Sequence, residues 1–191
     1  MSEFRYELDD GVLIVSPAPS RLHQLAVARL TVILSAACPA GVIVFPGVGV
    51  NITKFQHRVP DVAVVRADAF ETFFQETPPE LVVEVASPRT RLYDRNRKKD
   101  VYQGFGIPGY WIVEPDRDRP ELTVFELRSG AYERTAHVTG DEEYQARRRP
   151  SNWVSFRTSR RSAETVPPHG SARMVDPTEC RPGPGQIGLI T

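Results

Sequence analysis

The chain reads Pro60-Asp61-Val62-Ala63-Val64-Val65 and, further on, Leu81-Val82-Val83-Glu84-Val85. Both runs are short, rich in β-branched residues and bounded by Pro, so they are predicted to be strands of a buried sheet. Each carries one carboxylate: Asp61 opens the first and Glu84 interrupts the second. Stripping water from a lone carboxylate is costly or forces it to protonate, so a buried Asp or Glu needs a partner. If the strands are neighbours, facing residues lie about 5 Å apart at Cα. That is close enough for two carboxylates to share one hard, oxygen-seeking cation such as Mg²⁺. A plainer reading competes. Glu80, Val82, Glu84 and Ala86 alternate with Leu81, Val83 and Val85, which would set Glu84 on the wet face of a half-exposed strand.

The segment from Arg89 to Asp100 holds six basic residues against two acidic ones, and Asp94, Lys98 and Tyr102 recur at helical i, i+4 spacing. The chain has three lysines against 21 arginines, and two of the three, Lys98 and Lys99, sit here. Lys is a compact ammonium that shifts its pKa and holds a water in ways the broad Arg fork does not. An ordinary solvated basic face, paired with Asp94 and Asp100, is the alternative. An Asp, a Glu and a downstream Lys together describe metal-dependent cleavage of phosphodiesters.

The ordered set Pro60-Asp61, Glu84-Val85-Ala86-Ser87-Pro88, Asp94 with Lys98 and Tyr102, and Gly106-Ile107-Pro108-Gly109-Tyr110-Trp111-Ile112-Val113 resembles the Uma-two family of restriction-endonuclease-like proteins. That family falls in the PD-(D/E)XK nuclease superfamily. The resemblance reaches back to Tyr6-Glu7-Leu8, Gly11, Ser16-Pro17 and His23, and forward to about Leu127. The superfamily's lysine follows its Glu by two residues, and here that position is Ala86. In the resembled family this slot is apolar as well and a helical lysine substitutes, which implies Lys98. The resemblance implies Asp61, Glu84 and Lys98 as catalytic residues, with Mg²⁺ or alternatively Mn²⁺ held by Asp61 and Glu84. It also implies Glu7, His23, Asp94 and Tyr102 as supporting residues. For Glu7 it is the sole ground. His23, in the first turn of a helix, would touch a phosphate or a site carboxylate, or simply fill a half-buried turn.

The chain has 191 residues, 40% hydrophobic and 25% charged, which suits one domain with a sizeable core. No apolar run reaches the roughly 18 residues of a membrane helix, and the acidic N-terminus is unlike a signal peptide. A cytoplasmic protein without membrane contact is therefore expected. Cys38 and Cys180 are too few for a disulfide framework or a zinc site. The formal net charge is zero, which argues against a generally basic nucleic-acid surface. A local strip of Arg89, Arg91, Arg95 and Arg97 remains to meet a nucleic-acid backbone, DNA being the expected partner, and a homodimer is admitted.

Phe4 to Leu8 and Val12 to Val15 are predicted to form a hairpin around Asp9-Asp10-Gly11. Members of the resembled family often carry a helical segment ahead of this point, so a shortened N-terminus is an expectation. Ser20 is the predicted N-cap of a helix through about Ala37, with Leu22, Leu25, Ala26, Leu30, Ile33 and Leu34 as its apolar stripe. Strands follow at residues 42–45 and 47–52. Residues 66–79 connect the two carboxylate strands, with Ala69, Phe70, Phe73 and Phe74 suggesting a short helix packed on the sheet. Thr90 or Asp94 would cap the helix carrying Lys98 to Phe105, and Gly106 would stop it. Tyr110 to Glu114 is a strand, Glu114 at its end being exposed or a further ligand. A hairpin turns at Ser129-Gly130.

From about residue 145 the chain has eight Arg and six Pro against three acidic residues, with no helix or strand period. Such text reads as disordered, as a nucleic-acid-binding arm, or as the product of a shifted reading frame. The expected architecture is an α/β (α+β) PD-(D/E)XK restriction-endonuclease-like domain over residues 1–144, a mixed β-sheet flanked by helices with an N-terminal β-hairpin, followed by a disordered tail over 145–191. The expected activity is endonucleolytic hydrolysis. A non-catalytic binding or regulatory module and a hydrolase of small phosphodiesters are the alternatives.

Overall fold

The computed structural model describes residues 4–69, 74–87, 93–140, 143–147, 153–159 and 188–190. Strands β1 (Phe4–Asp9) and β2 (Val12–Pro17) form the expected hairpin. Its turn residues Asp10 and Gly11 both have positive φ, 49° and 81°, the combination a two-residue turn needs to match strand twist. Helix α1 (Arg21–Ala37) starts at Ser20, whose Oγ accepts from the His23 N–H at 3.2 Å. Of the predicted stripe, Ala26, Leu30, Ile33 and Leu34 are buried, whereas Leu25 is largely exposed. Strands β3 (Val42–Pro46), β4 (Val50–Thr53), β5 (Gln56–Arg58), β6 (Val62–Arg66) and β7 (Leu81–Val85) follow. After β6 a 3-10 turn covers Ala67–Ala69; residues 70–73, on which the expected short helix rests and which include Phe70 and Phe73, lie outside the described residues. Phe74 packs edge-on against His57.

After a π-helical turn at Asp94–Lys98, helix α2 (Lys99–Phe105) runs to Gly106, which caps it with φ 83°. Strands β8 (Gly109–Glu114), β9 (Glu121–Arg128) and β10 (Ala131–Thr139) complete the main sheet, and the β9–β10 hairpin turns through Ser129 and Gly130, again with positive φ. The main sheet has six strands in the order β10-β9-β8-β7-β6-β3, antiparallel except for β7 with β8. A second sheet, β2-β1-β5-β4, was not anticipated, because β5 is three polar residues without a strand pattern. Within 145–191 the described residues are strands β11 (Glu143–Arg147, which starts just before it), β12 (Trp153–Ser159) and β13 (Gly188–Ile190), joined in a third sheet. The rest of the expected disordered tail lies outside the described residues.

The central strands are buried on both faces. On one face Val62, Val64, Val83, Val85, Trp111 and Val113 pack against Ala26, Leu30 and Leu34 of α1. On the other, Val82, Ala86, Tyr110 and Ile112 pack with Tyr102 of α2 and Tyr132 of β10. Each fully buried aliphatic side chain contributes about 1.5–3 kcal/mol relative to exposure. A one-residue slip of β6 on β7 would exchange its two faces, so packing fixes the register at Val62↔Val83 and Ala63↔Val82. One residue beyond that pairing stand Asp61 and Glu84. Among the described residues no helix is long and apolar enough to cross a membrane.

Candidate active site

Glu84 is only 1% exposed, which overturns the wet-face reading. Alternation signals exposure only where one sheet face meets water, and here α2 covers the second face. Asp61, Glu7 and Lys98 are also buried. Four groups of elements deliver these side chains. Asp61 stands at the mouth of β6, held by the Val85 backbone N–H, which donates to Oδ2 at 2.7 Å. Glu84 comes from mid-β7, Lys98 and Tyr102 from the helical segment after it, and Glu7 from β1 of the second sheet.

Lys98 Nζ lies 2.9 Å from Glu84 Oε2 and 3.8 Å from Glu7 Oε1. Tyr102 donates its O–H to Glu84 Oε1 at 2.7 Å. The two oxygens of Glu84 are thus each met by one residue of the same helical segment, four positions apart. The π-helical turn, a feature frequent at functional sites, ends on Lys98 and hands it to a regular helix. Asp94 opens that turn, and its side chain lies outside what is described. His23 Nε2 is 3.2 Å from Asp61 Oδ2, and its buried Nδ1 has no hydrogen-bond partner among the described residues. His23 thus brings a ring nitrogen against Asp61 from the first turn of α1.

Arg5 is the residue the sequence reading missed. Its guanidinium enters the cluster, with Nη1 2.6 Å from Asp61 Oδ1 and Nη2 3.2 Å from Glu7 Oε1 and 3.7 Å from Glu84 Oε2. A signal was present: Arg5, Glu7 and Asp9 alternate with Phe4, Tyr6 and Leu8, so β1 turns one wholly charged face inward. Read alone, a charged face on an N-terminal hairpin looks like solvent. Its burial follows from β5, which pairs with β1 at Leu8↔His57 and brings the Val59 N–H to Glu7 Oε1 at 2.9 Å.

The expected Arg strip divides. Arg89 and Arg91 lie outside the described residues. Arg97 pairs with Asp9 at 2.8 Å and with Asp10. Asp9 also receives the fully buried Arg58 at 2.6 Å and the Tyr93 O–H at 2.8 Å, so this network ties β1 to the π-helical turn. Arg95 pairs with Glu114 and approaches Glu121 at 3.8 Å. Glu114 is buried rather than exposed. Arg95, Lys99, Glu121, Arg134 and His137 line a cleft of about 480 Å³, with Phe125 and Tyr132 as its apolar wall; Asp61, Glu84 and Lys98 do not line it.

Burial alone would raise the carboxyls of Asp61 and Glu7. For Asp61 it is outweighed by the His23 hydrogen bond and the charges of Arg5, His23 and Lys98, and for Glu7 by Lys98, Arg5 and the Val59 N–H, so both end below the usual carboxylate range. Burial and the Glu84 charge push Tyr102 far up, so it stays a donor. The sign of the linkage follows. A carboxyl lowered by folding adds stability that is fully present above its unfolded value of about 4 and is lost as pH falls through the folded value. Stability is therefore expected to stay level down to about pH 5 and to fall steeply below pH 4. The same fall in an Asp61→Asn variant, measured by urea unfolding, would show that Asp61 carries none of it.

The donor set suits a hard divalent cation in kind, being three carboxylates that bring oxygen ligands together. Among the described residues, however, no three His, Cys, Asp or Glu are grouped so as to hold a metal ion as they stand, and the Arg5 guanidinium contacts all three carboxylates. The fit is thus one of chemistry rather than of present arrangement.

Residues 1–155 match the family described as "Uma2: Putative restriction endonuclease". No curated protein matches the chain. Among solved structures, the chain is similar to one described as "a putative nuclease belonging to DUF820" from Anabaena variabilis ATCC 29413, at TM-score 0.58 and 15% identity, covering 72% of this chain and 76% of that one. At that identity the likeness establishes a shared fold. The family match extends past residue 144, through β11 and into β12, and spans every element that supplies the cluster around Glu84. The chain belongs to the Uma2 family of restriction-endonuclease-like proteins.

Proposed function

We propose that this protein is an endonuclease that hydrolyses phosphodiester bonds of nucleic acid, DNA in the first instance, with Mg²⁺ or Mn²⁺. The observation that carries the reading is the pairing of a buried Glu84 with Lys98 at 2.9 Å, beside Asp61 and Glu7. A structural role alone does not call for three buried carboxylates brought together from two sheets. A cation held by Asp61 and Glu84 would polarise the phosphate and lower the pKa of an attacking water. Lys98 orients that water or meets the charge developing on the phosphoryl oxygens. Tyr102 fixes the Glu84 carboxylate through its second oxygen, and His23 fixes Asp61. Arg95 and Arg134, which line the cleft, supply contacts to a polyanionic backbone, which give salt-dependent affinity without sequence choice.

Incubation with plasmid and single-stranded DNA in Mg²⁺, Mn²⁺ and EDTA tests this. Cleavage with metal that EDTA abolishes is expected, and no cleavage under any condition would overturn it. Turnover of a chromogenic diester without competition by DNA would instead indicate a small-molecule hydrolase. A homodimer is supported by the outer face of the hairpin, where Phe4, Tyr6, Leu13 and Val15 are exposed together. Sedimentation velocity checks it, and a monomer at high concentration would remove it.

A further inference from the structure

We infer that Arg5 is a resident, displaceable cation of this carboxylate cluster, occupying the place that a divalent ion takes and leaving when that ion binds. The inference rests on the metal-dependent reading proposed above and assigns Arg5 a part in it. One guanidinium lies within 2.6–3.7 Å of an oxygen from each of Asp61, Glu7 and Glu84.

Charge decides between sharing and exchange. The three carboxylates are balanced by Lys98 together with one divalent ion. With Arg5 also in place a surplus positive charge would remain among buried groups, where desolvation is costly. Two cations cannot both approach Asp61 Oδ1 without repelling each other. One of the two side-chain cations must therefore yield, and burial says which. The Lys98 side chain is 6% exposed and sits on a packed helix between two carboxylates, whereas the Arg5 side chain is 28% exposed. Arg5 also stands near the start of β1, short of the single pairing with β5 at Leu8↔His57. It swings into water without uncovering the core.

Without metal the guanidinium keeps three carboxylates from repelling one another, and so preserves the fold of the empty site. The same contact weakens metal binding. If the Arg5-out state is populated at about 1–10%, apparent metal affinity falls by the inverse of that fraction, about 10–100-fold. Activity would then be confined to conditions of ample divalent ion.

The test is Mn²⁺ binding to the full chain by isothermal titration calorimetry, with Arg5→Gln and Arg5→Lys beside the wild type and Asp61→Asn as control. Arg5→Gln is expected to bind Mn²⁺ at least about tenfold more tightly, with Arg5→Lys close to wild type. Equal or weaker binding by Arg5→Gln, while Asp61→Asn loses binding, overturns the role of Arg5 and leaves the metal site standing. No binding by the wild type or by Arg5→Gln overturns both. Should Arg5→Gln fail to fold, the wild type decides through the Arg5 side-chain Nε–H resonance. Saturation with diamagnetic Ca²⁺ is expected to move it to the position and fast exchange of a solvated arginine. An unchanged resonance with Ca²⁺ bound overturns the exchange.

Discussion

Lys98→Ala is expected to lower metal-dependent cleavage by roughly 10²–10³, the scale for losing one preorganised transition-state donor, while Lys99→Ala changes it little. The expectation follows from geometry. Lys98 Nζ is 2.9 Å from Glu84 Oε2 in a buried setting, whereas Lys99 lies over the Phe125 ring at 5.3 Å and lines a cleft that the carboxylate cluster does not line. Removing Lys98 also leaves Glu84 with one fewer cation, and breaking a buried pair by deleting one partner costs about 3–5 kcal/mol where nothing else compensates. Here Tyr102 and Arg5 remain near Glu84, so the stability cost should be smaller than that. Activity should be compared at a temperature where urea unfolding shows both proteins folded. Lys98→Arg separates charge from shape. Arg keeps the positive charge but brings a planar fork in place of a compact ammonium. Activity is expected to be lost with metal binding retained. Full activity in both variants would remove Lys98 from the chemistry and return it to the role of a buried counter-ion.

The second large effect is expected at Asp61. Asp61→Asn should abolish tight Mn²⁺ binding and cleavage together, because the shared cation loses one of its two anionic ligands. The variant is also expected to be less stable without metal by about 1–3 kcal/mol, the scale for charged hydrogen bonds lost at a buried group. Asp61 accepts from Arg5, His23 and the Val85 N–H. An Asn oxygen replaces one such acceptor, while its NH₂ group turns a donor toward donors. Equal Mn²⁺-induced thermal shifts in wild type and Asp61→Asn would sink the shared site. An Asp61→Asn chain that binds Mn²⁺ normally yet fails to cleave would assign Asp61 to positioning substrate instead.

These two side chains differ in how visible they were. Asp61 and Glu84 interrupt apolar, β-branched runs, and a carboxylate in such a run needs a physical reason whatever the fold. The strands themselves, α1 with its Ser20 cap and stripe, the Asp10-Gly11 and Ser129-Gly130 turns and the Gly106 stop were local signals. They rest on backbone sterics, capping and hydrophobic period, which act over a few residues. Lys98 was legible only because a chain that otherwise uses Arg places lysine there and because the family resemblance moves the catalytic lysine to the helix.

What the sequence by itself determined, then, was the hairpins, α1, the apolar strands of the main sheet and the helix after β7, with the two carboxylates in its most apolar strands. Strand β5 and the strands after residue 142 carried no such signal. The tertiary structure alone decided which charged groups surround them. Whether Glu84 is wet or buried depends on α2 lying across the second face of the main sheet. Arg5 and Glu7 reach Asp61 only because β5, a strand without a strand pattern, ties the hairpin beside the main sheet. Arg97, expected to meet a nucleic-acid backbone, pairs with Asp9 and Asp10 from the far end of β1. The physical reason is the same in each case. Hydrophobic period and turn chemistry report on neighbours in the chain, while the partner of a charge is set by whichever distant segment packing brings within about 4 Å.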